Sequence, residues 1–221
     1  MRRIQLEEAE FFHLLRPDQL ARVRSRLLLR PFRAGECIYF TSEPAESLWV
    51  LRAGEVRTVK ISPTGHTTAL ERFRPGDLFG LAVAVEAASY GETAEGVTQG
   101  EAWRAPPQLL AGLVRDDPRL ARELLAIVAK RLQGAHDRLC SFAHDSVPAR
   151  IALLLVEQAD GDRLEATRRA IGEAVGTTVE TAIRVLRRFD RAGWIEGGVG
   201  SVRILDRKAL ERVARGEKLT D

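Results

Sequence analysis

The stretch Thr167 to Phe189, TRRAIGEAVGTTVETAIRVLRRF, constrains the fold more than any other part of the chain, because it predicts two short helices joined by a tight turn at Gly176. The first helix has an apolar side, and the second repeats one at the spacing i, i+3, i+4, i+7. The opposite face of the second helix carries one carboxylate followed by three guanidiniums. The apolar positions are Ala170, Ile171, Ala174, Ala182, Val185, Leu186 and Phe189, and the charged ones are Glu180, Arg184, Arg187 and Arg191.

Two helices of this kind are typical of a helix-turn-helix, whose second helix enters the major groove of DNA. Taken alone, the stretch is equally consistent with a solvated amphipathic helix pair, since charged stripes are common on protein surfaces. The residues that follow favour the first interpretation. Trp194 to Glu196 and Ser201 to Leu205 predict a two-stranded hairpin, because Gly197, Gly198 and Gly200 lie between them. Helix, turn, helix and hairpin in this order predict a winged helix.

On these residues the chain resembles the cAMP receptor protein and FNR (CRP/FNR) family of bacterial transcription regulators. The resemblance is carried by Thr167 to Gly176, by Val179-Glu180-Thr181 and by Arg184. It implies an α+β fold with an N-terminal antiparallel β-roll like that of cyclic-nucleotide-binding domains, a long dimerisation helix and a C-terminal winged helix-turn-helix. We expect these parts at residues 1–116, 117–145 and 146–221.

The segment from Leu28 to Ala105 is consistent with that β-roll. Short β-branched or aromatic segments alternate with turn signals about every ten residues, which indicates an all-β barrel or roll rather than a parallel sheet. The turns at Gly35-Glu36 and Pro75 to Gly80 resemble those of the family's sensor domain. The predicted strands are 37–40, 48–51, 56–61, 68–73 and 93–97.

A long helix is predicted from about Pro118 to His144, roughly 40 Å at 1.5 Å per residue. Its apolar residues step by alternating threes and fours, which predicts a coiled-coil seam and a homodimer. A homodimer would place two recognition helices about 34 Å apart on a palindrome. The alternative is that the seam packs on the chain's own β-roll. The expected interface residues are Leu125, Val128, Leu132, Ala135, Leu139 and Phe142.

The start of the second helix is expected to read bases. A carboxylate accepts a hydrogen bond from cytosine N4 and an arginine fork matches guanine, so Glu180 and Arg184 predict neighbouring G·C contacts. Alternatively, Glu180 closes a capping box with Thr177, and Arg184 forms a surface salt bridge with Glu180. Val179-Glu180 is similar to the FNR branch of the family. Ile183 stands where that branch has a serine, which favours contact with a thymine methyl.

A second set of residues is expected to contact the DNA backbone, which positions a protein on DNA without specifying sequence. The set comprises Thr167, Arg168, Thr177, Thr178, Arg187, Ser201 and Arg203.

The sequence predicts that cyclic AMP does not bind. The phosphodiester is an anion, and its burial needs a cation or several donors. The resemblance implies an arginine-serine pair some residues after a Gly-Glu-Leu. Here Gly76-Asp77-Leu78 resembles the first part, but Glu92 stands where the arginine belongs. Ala135 and His136 replace the hydroxyl residues that would meet adenine.

No cofactor is predicted. His136, Cys140 and His144 at i, i+4, i+8 could hold haem or zinc, but each could equally be an ordinary residue of the helix surface. Cys37 and Cys140 are the only cysteines, which excludes an iron–sulfur cluster held by four thiolates of one chain. An enzyme of the cupin type is not expected, because His13 and His66 are too far apart in the N-terminal half to form a metal site.

A formal charge of +3 permits nucleic-acid binding, and the longest apolar run is too short to span a bilayer. The prediction is therefore a cytoplasmic, homodimeric, sequence-specific transcription regulator. It would act at palindromic promoter sites on double-stranded DNA, with RNA polymerase as a partner, without cAMP and without a membrane. The alternative is a small-ligand- or haem-responsive regulatory module of the same fold, whose C-terminal domain contacts another protein.

Overall fold

The computed structural model describes residues 2–81 and 89–217. The chain divides into two compact units, Met1–Ile61 with Leu70–Leu132, and Ser62–Ala69 with Gln133–Asp221. Each unit has its own hydrophobic core.

The first unit is built around two antiparallel sheets of four strands each among the described residues. Their strand orders are β1-β8-β3-β6 and β2-β7-β4-β5, which confirms the expected β-roll. Two 3-10 helices, Leu6–Glu8 and Phe12–Leu14, and helix α1 (Pro17–Arg24) precede the sheets, and α2 (Pro107–Asp116) follows them. The strands are β1 Leu28–Phe32, β2 Cys37–Tyr39, β3 Leu48–Ala53, β4 Val56–Ile61, β5 Thr67–Phe73, β6 Leu78–Phe79, β7 Thr93–Gly96 and β8 Gly100–Ala105.

Strand β3 separates two cores because successive side chains of a strand point to opposite faces. Leu48 and Val50 pack with the apolar residues of the helices, whereas Trp49 and Leu51 pack with the aromatic interior of the roll. Where β8 passes β3, Gly100 permits a close approach. A Cβ at this position would lie 2.2 Å from the carbonyl oxygen of Ala53.

Helix α3 runs from Arg119 to His144, one residue shorter than predicted. Asp117 caps it, accepting from the backbone N–H of Arg119 at 3.2 Å. Leu120 and Ile127 enter the core of the first unit. The seam residues remain exposed along the same helix.

The second unit holds the winged helix-turn-helix. After α4 (Val147–Gln158) come the two predicted helices, α5 (Arg168–Val175) and α6 (Val179–Arg191), and the domain ends with α7 (Arg207–Ala214). The hairpin that follows α6, which we call the wing, was expected to have two strands. The structure adds a third, because β9 (Arg163–Leu164) pairs with β11 (Ser201–Ile204) on the side opposite to β10 (Ile195–Gly198).

The two helices of the motif are packed by the residues that the sequence pattern selected. Ile171, Ala182, Leu186 and Phe189 are almost completely buried in one cluster with residues of α4, including Leu155. In the described part of the chain, no helix has the length and apolar character needed to cross a membrane.

Candidate nucleic-acid interface

The turn between α5 and α6 depends on two glycines. Gly176 ends α5 in the left-handed conformation, with φ of +63°, which favours glycine. The next backbone N–H, of Thr177, donates to the carbonyl of Gly172 at 2.9 Å. A Cβ at Gly172 would lie 3.2 Å from the carbonyl oxygen of Thr177, so a side chain there would crowd the turn. The turn at Gly176 is therefore confirmed.

Helix α6 is capped by Thr178, not by Thr177. The Thr178 hydroxyl accepts from the backbone N–H of Thr181 at 3.3 Å. The alternative interpretation, a capping box between Thr177 and Glu180, is therefore wrong, because the turn is one residue longer than that box requires. Glu180 is the second residue of the helix, and Thr181 occupies the position that a capping-box carboxylate would need.

Glu180 is exposed and held as a carboxylate. A hydrogen bond from its own backbone N–H lowers the pKa of its carboxyl group. The Thr178 hydroxyl and the charge of Arg169 lower it further. Negative charge near a helix N-terminus is also favoured by the helix dipole. The group is suited to accept a hydrogen bond from an amine such as cytosine N4.

The salt bridge between Glu180 and Arg184 that the sequence allowed does not form. Among the described residues, neither side chain has an ion-pair partner within 4.0 Å. Arg184, Arg187 and Arg191 are all exposed and make no side-chain hydrogen bond to any residue that the structure describes. Beside them, Val179 and Ile183 are half-buried. The stripe of α6 formed by Glu180, Arg184, Arg187 and Arg191 thus presents one acid and three guanidiniums that are unpaired within the described part of the chain.

The residues expected to contact the DNA backbone fall into two groups. Thr167 and Thr178 are exposed and cap α5 and α6, accepting from Ala170 N–H at 3.1 Å and Thr181 N–H at 3.3 Å. Both lie at helix N-termini, where free backbone N–H groups favour anions. Thr177 lies half-buried in the turn, and Arg187 points to solvent.

The remaining three candidates are engaged in the wing. Arg168 donates to the Ser201 carbonyl at 3.2 Å and so joins α5 to β11. Ser201 is only 7% exposed, and its hydroxyl accepts a hydrogen bond from Arg163 at 3.4 Å. Arg203 is exposed but donates to Asp162 at 3.0 Å. This contact depends on strand β9, which the sequence pattern did not reveal because it is two residues long.

Sequence reasoning missed two exposed residues of this surface. Arg169 lies close enough to lower the pKa of Glu180, and the Arg168-Arg169 pair could have signalled it. Val199 is fully exposed between the glycines at the tip of the wing.

The first unit has a carboxylate where the family resemblance implies a cation. Glu92 is half-buried. Burial raises the pKa of Glu92, the nearby Glu71 raises it further, and Lys60 and Arg131 only partly oppose these effects. Arg131 is itself engaged, because it donates to the Leu78 carbonyl and lies 4.0 Å from Glu71.

Among the described residues, no group of three or more His, Cys, Asp or Glu side chains lies close enough together to hold a metal ion. His136, Cys140 and His144 therefore do not form such a group. Cys140 is exposed and Cys37 is half-buried. Burial and the charges of Glu95, Glu43 and Glu36 raise the pKa of the Cys37 thiol, so it is a poor nucleophile at neutral pH.

Comparisons with known proteins agree with this geometry. Residues 29–117 match the cyclic nucleotide-binding domain, and residues 149–213 match the Crp-like helix-turn-helix domain. The chain belongs to the CRP/FNR family of transcription regulators. Its helix-turn-helix makes it a DNA-binding regulator, and members of this family are not enzymes.

Three CRP/FNR proteins illustrate the relationship. A CRP-like cAMP-activated global transcriptional regulator of Mycobacterium tuberculosis is 27% identical over 220 residues, which cover 95% of this chain and 98% of that protein. FixK2 of Bradyrhizobium japonicum is 25% identical with a TM-score of 0.76, covering 88% of this chain and 99% of that one. A regulator of Eubacterium rectale shares the fold, with a TM-score of 0.82 at 22% identity and coverage of 95% and 100%.

Proposed function

We propose that this CRP/FNR regulator acts as a homodimer that reads palindromic promoter sites with the first turns of α6, without cAMP. Glu180 and Arg184 are one helical turn apart, exposed and without ion-pair partners in residues 2–81 and 89–217, and this observation carries the proposal. Side chains at the start of a recognition helix are the ones that reach base edges. Glu180 would accept from cytosine N4, and Arg184 would donate to guanine O6 and N7.

The rest of the α6 face complements these two contacts. Val179 and Ile183 offer apolar surface that suits a thymine methyl, and Arg187 suits a phosphate. Thr167, Thr177 and Thr178 would hold the backbone at the two helix N-termini. At the wing, Arg168 and Arg203 supply charge, whereas Ser201 is buried and would reach a phosphate only after a local rearrangement.

The homodimer is supported by the exposed seam of α3. Large apolar side chains are exposed at regular intervals along one helix, whereas monomeric proteins seldom leave such contiguous apolar surface in water. The seam comprises Leu125 (66% exposed), Val128 (45%), Leu132 (55%), the exposed Ala135, Leu139 (66%) and Phe142 (38%). A twofold pair of such helices would bury these residues in knobs-into-holes packing.

A direct test of the dimer is sedimentation of the purified chain with and without Leu132→Glu. The wild-type chain should sediment as a dimer, and the variant should dissociate at micromolar concentration because two carboxylates would meet in the seam. Exposed Gln133, outside the seam, provides the matched control Gln133→Glu, which should remain dimeric. A monomeric wild-type chain would contradict the proposal.

The absence of a cAMP response is supported by Glu92. A half-buried carboxylate would repel the cyclic phosphate, and Arg131 is already bound to the Leu78 carbonyl. Calorimetric titration with cAMP should therefore show no saturable heat. Micromolar binding would contradict this part of the proposal.

The other parts of the proposal follow from the class of protein. We assign residues 1–116 to the sensor-like domain, 117–145 to dimerisation and 146–221 to DNA binding. A cytoplasmic dimer on promoter DNA would act by recruiting or obstructing RNA polymerase. Any signal would shift the population of the DNA-competent arrangement.

Selection of bound sequences from random duplex DNA tests base reading. The wild-type chain should select a two-fold symmetric site with G·C pairs in each half. Glu180→Ala and Arg184→Ala should each relax preference at one base position per half-site and leave the other positions unchanged. Arg203→Ala is the control, since a backbone contact should weaken binding without altering the selected sequence. If both α6 variants select the same base sequence as the wild-type chain, the proposed base contacts are contradicted.

A further inference from the structure

Arg150, in the first turn of α4, joins the end of α3 to the end of α5. Its Nε donates to the Val175 carbonyl at 2.9 Å. Its Nη1 donates to the carbonyls of Asp145 at 2.8 Å and Phe142 at 3.5 Å. The guanidinium also lies 5.5 Å from the centroid of the Phe142 ring. One side chain therefore bridges two helices that are far apart in sequence.

The three acceptors have a common character. Phe142 and Val175 lie in the last turns of α3 and α5, and Asp145 directly follows α3, so these carbonyls lack the next turn's N–H groups as partners. Helix C-termini are also the negative ends of the helix dipoles. A guanidinium offers several donors in a fixed plane and can serve both helix ends at once. A lysine ammonium concentrates its charge at one point and cannot reproduce this geometry.

Phe142 makes a second connection between the same parts. A Cβ on Gly176 would lie 3.3 Å from Cε1 of Phe142, so the ring packs directly on the turn between α5 and α6. The last turn of α3 thus contacts the helix-turn-helix through the Phe142 ring on one side and through Arg150 on the other. All these residues belong to the second unit.

We propose that Arg150 is a positioning residue that fixes the direction of the recognition helix α6 relative to the dimerisation helix α3. It would thereby set which separation of half-sites the dimer accepts. This inference rests on the proposed function as a dimer on palindromic DNA. Once one half-site is bound, binding of the second is intramolecular, and its strength depends on how stiffly the two readers are held. Arg150 would change this stiffness without touching a base.

The experiment measures the affinity of the full-length dimer for each duplex of a series. Each duplex carries the selected half-site twice, with the spacing changed one base pair at a time, and one further duplex carries a single half-site. Arg150→Met keeps an unbranched apolar stem in place of the arginine methylenes and removes all the donors. We expect about tenfold weaker binding to the optimal palindrome and a flatter dependence on spacing. Binding to the single half-site should change by less than about twofold, because no base contact is lost.

Arg207 provides a matched control in the same unit. It donates to two carbonyls, of Val156 at 2.9 Å and Gly161 at 2.6 Å, and neither lies on α3 or α5. Arg207→Met also loses arginine-to-carbonyl hydrogen bonds, so it should lower the melting temperature. Its spacing optimum should stay as sharp as that of the wild-type chain.

Each possible outcome has a distinct meaning. The inference is overturned if the Arg150→Met dimer keeps a wild-type spacing profile, or if it loses as much affinity for the single half-site as for the palindrome. If Arg150→Met does not fold, Arg150→Lys takes its place and should give an intermediate flattening, whereas a wild-type profile in that variant overturns the inference. A wild-type chain that binds the palindrome no better than a single half-site would instead contradict the proposed function.

Discussion

Many arginines of the first unit and three arginines of helix α6, Arg184, Arg187 and Arg191, differ in what surrounds them. In the first unit many arginines are paired with carboxylates. Arg57 lies 2.6 Å from Glu95, and Arg22 lies 2.6 Å from Asp116. On α6, Arg184, Arg187 and Arg191 have no such partner among the described residues. Abundance of arginine therefore says little about DNA binding. What distinguishes α6 is that Arg184, Arg187 and Arg191, without partners among the described residues, follow one another along one exposed helix face.

The difference follows from the neighbours that each secondary structure provides. On the β4–β7 pair, Arg57 stands directly opposite Glu95, where opposite charges attract. On α6, Arg187 has another arginine one turn before it, at Arg184, and one after it, at Arg191. Like charges at these spacings destabilise an isolated helix slightly. An external anion would relieve that repulsion, which is what a DNA phosphate supplies.

The largest effect that would test this contrast is expected at Arg184. Arg184→Ala should reduce discrimination at one guanine by about 1 to 3 kcal/mol, because a bidentate contact is lost. The measurement is competition between the selected duplex and the same duplex changed at that base pair. Arg119→Ala is the control, since Arg119 is also exposed but donates to Asp117 at 2.9 Å. If both variants lose discrimination between the two duplexes equally, the distinction between paired and unpaired arginines is contradicted.

The converse effect is expected at a paired arginine. Arg57→Met should lower the free energy of unfolding by about 1 to 3 kcal/mol, because it leaves the mostly buried Glu95 carboxylate without its charged donor. Denaturant titration of the first unit's transition would measure this loss. Adding Glu95→Gln should recover part of it. At equal folded fraction, affinity for DNA should not change, and a clear loss of affinity would contradict a purely structural role.

A smaller effect is expected at Arg187. If it contacts one phosphate, Arg187→Ala should weaken binding to all sequences alike and reduce the slope of log affinity against log salt by about 0.9. Titrations at several salt concentrations would measure the slope. Arg2→Ala is the control, because exposed Arg2 pairs with Glu8 at 3.2 Å, and it should leave the slope unchanged. An altered base preference at Arg187→Ala would instead indicate a base contact.

The sequence could predict the parts of this molecule that depend on a strong repeat. The spacing of Ala182, Val185, Leu186 and Phe189 located α6 and its buried face correctly, because nearly four turns carry one pattern. The alternative cap at Thr177 lies one residue before the observed cap at Thr178, since the two threonines are adjacent and chemically equivalent and only the length of the turn distinguishes them.

Other features lack a local signal. Strand β1 contains Pro31, and such a residue weakens the pattern of a strand even at an edge, where the structure places it. Helix α2 begins at Pro107 and was not anticipated. The contacts of Arg150 join residues up to 25 positions apart, and no pattern of spacing in the sequence predicts them. Pairing of side chains across elements is therefore what the structure adds.

The smallest expected effect tests Glu92, a carboxylate that forms no ion pair within 4.0 Å with any other described residue. The pKa of Glu92 is raised in the folded chain, so the folded state holds its proton more tightly than the unfolded state does. Stability from this group is therefore present below the ordinary carboxyl pKa and is lost as pH rises through the raised value. Glu92→Gln should consequently raise the melting temperature at pH 7 and change it little in acid. Glu46→Gln is the control, because exposed Glu46 lies 3.8 Å from Arg104 and should not gain stability at pH 7 when it loses its charge. A Glu92→Gln chain that melts at a lower temperature at pH 7 would show that Lys60 and Arg131 stabilise the carboxylate. Glu92 would then be a charge-paired group, like Arg57 and Arg22 of the same unit.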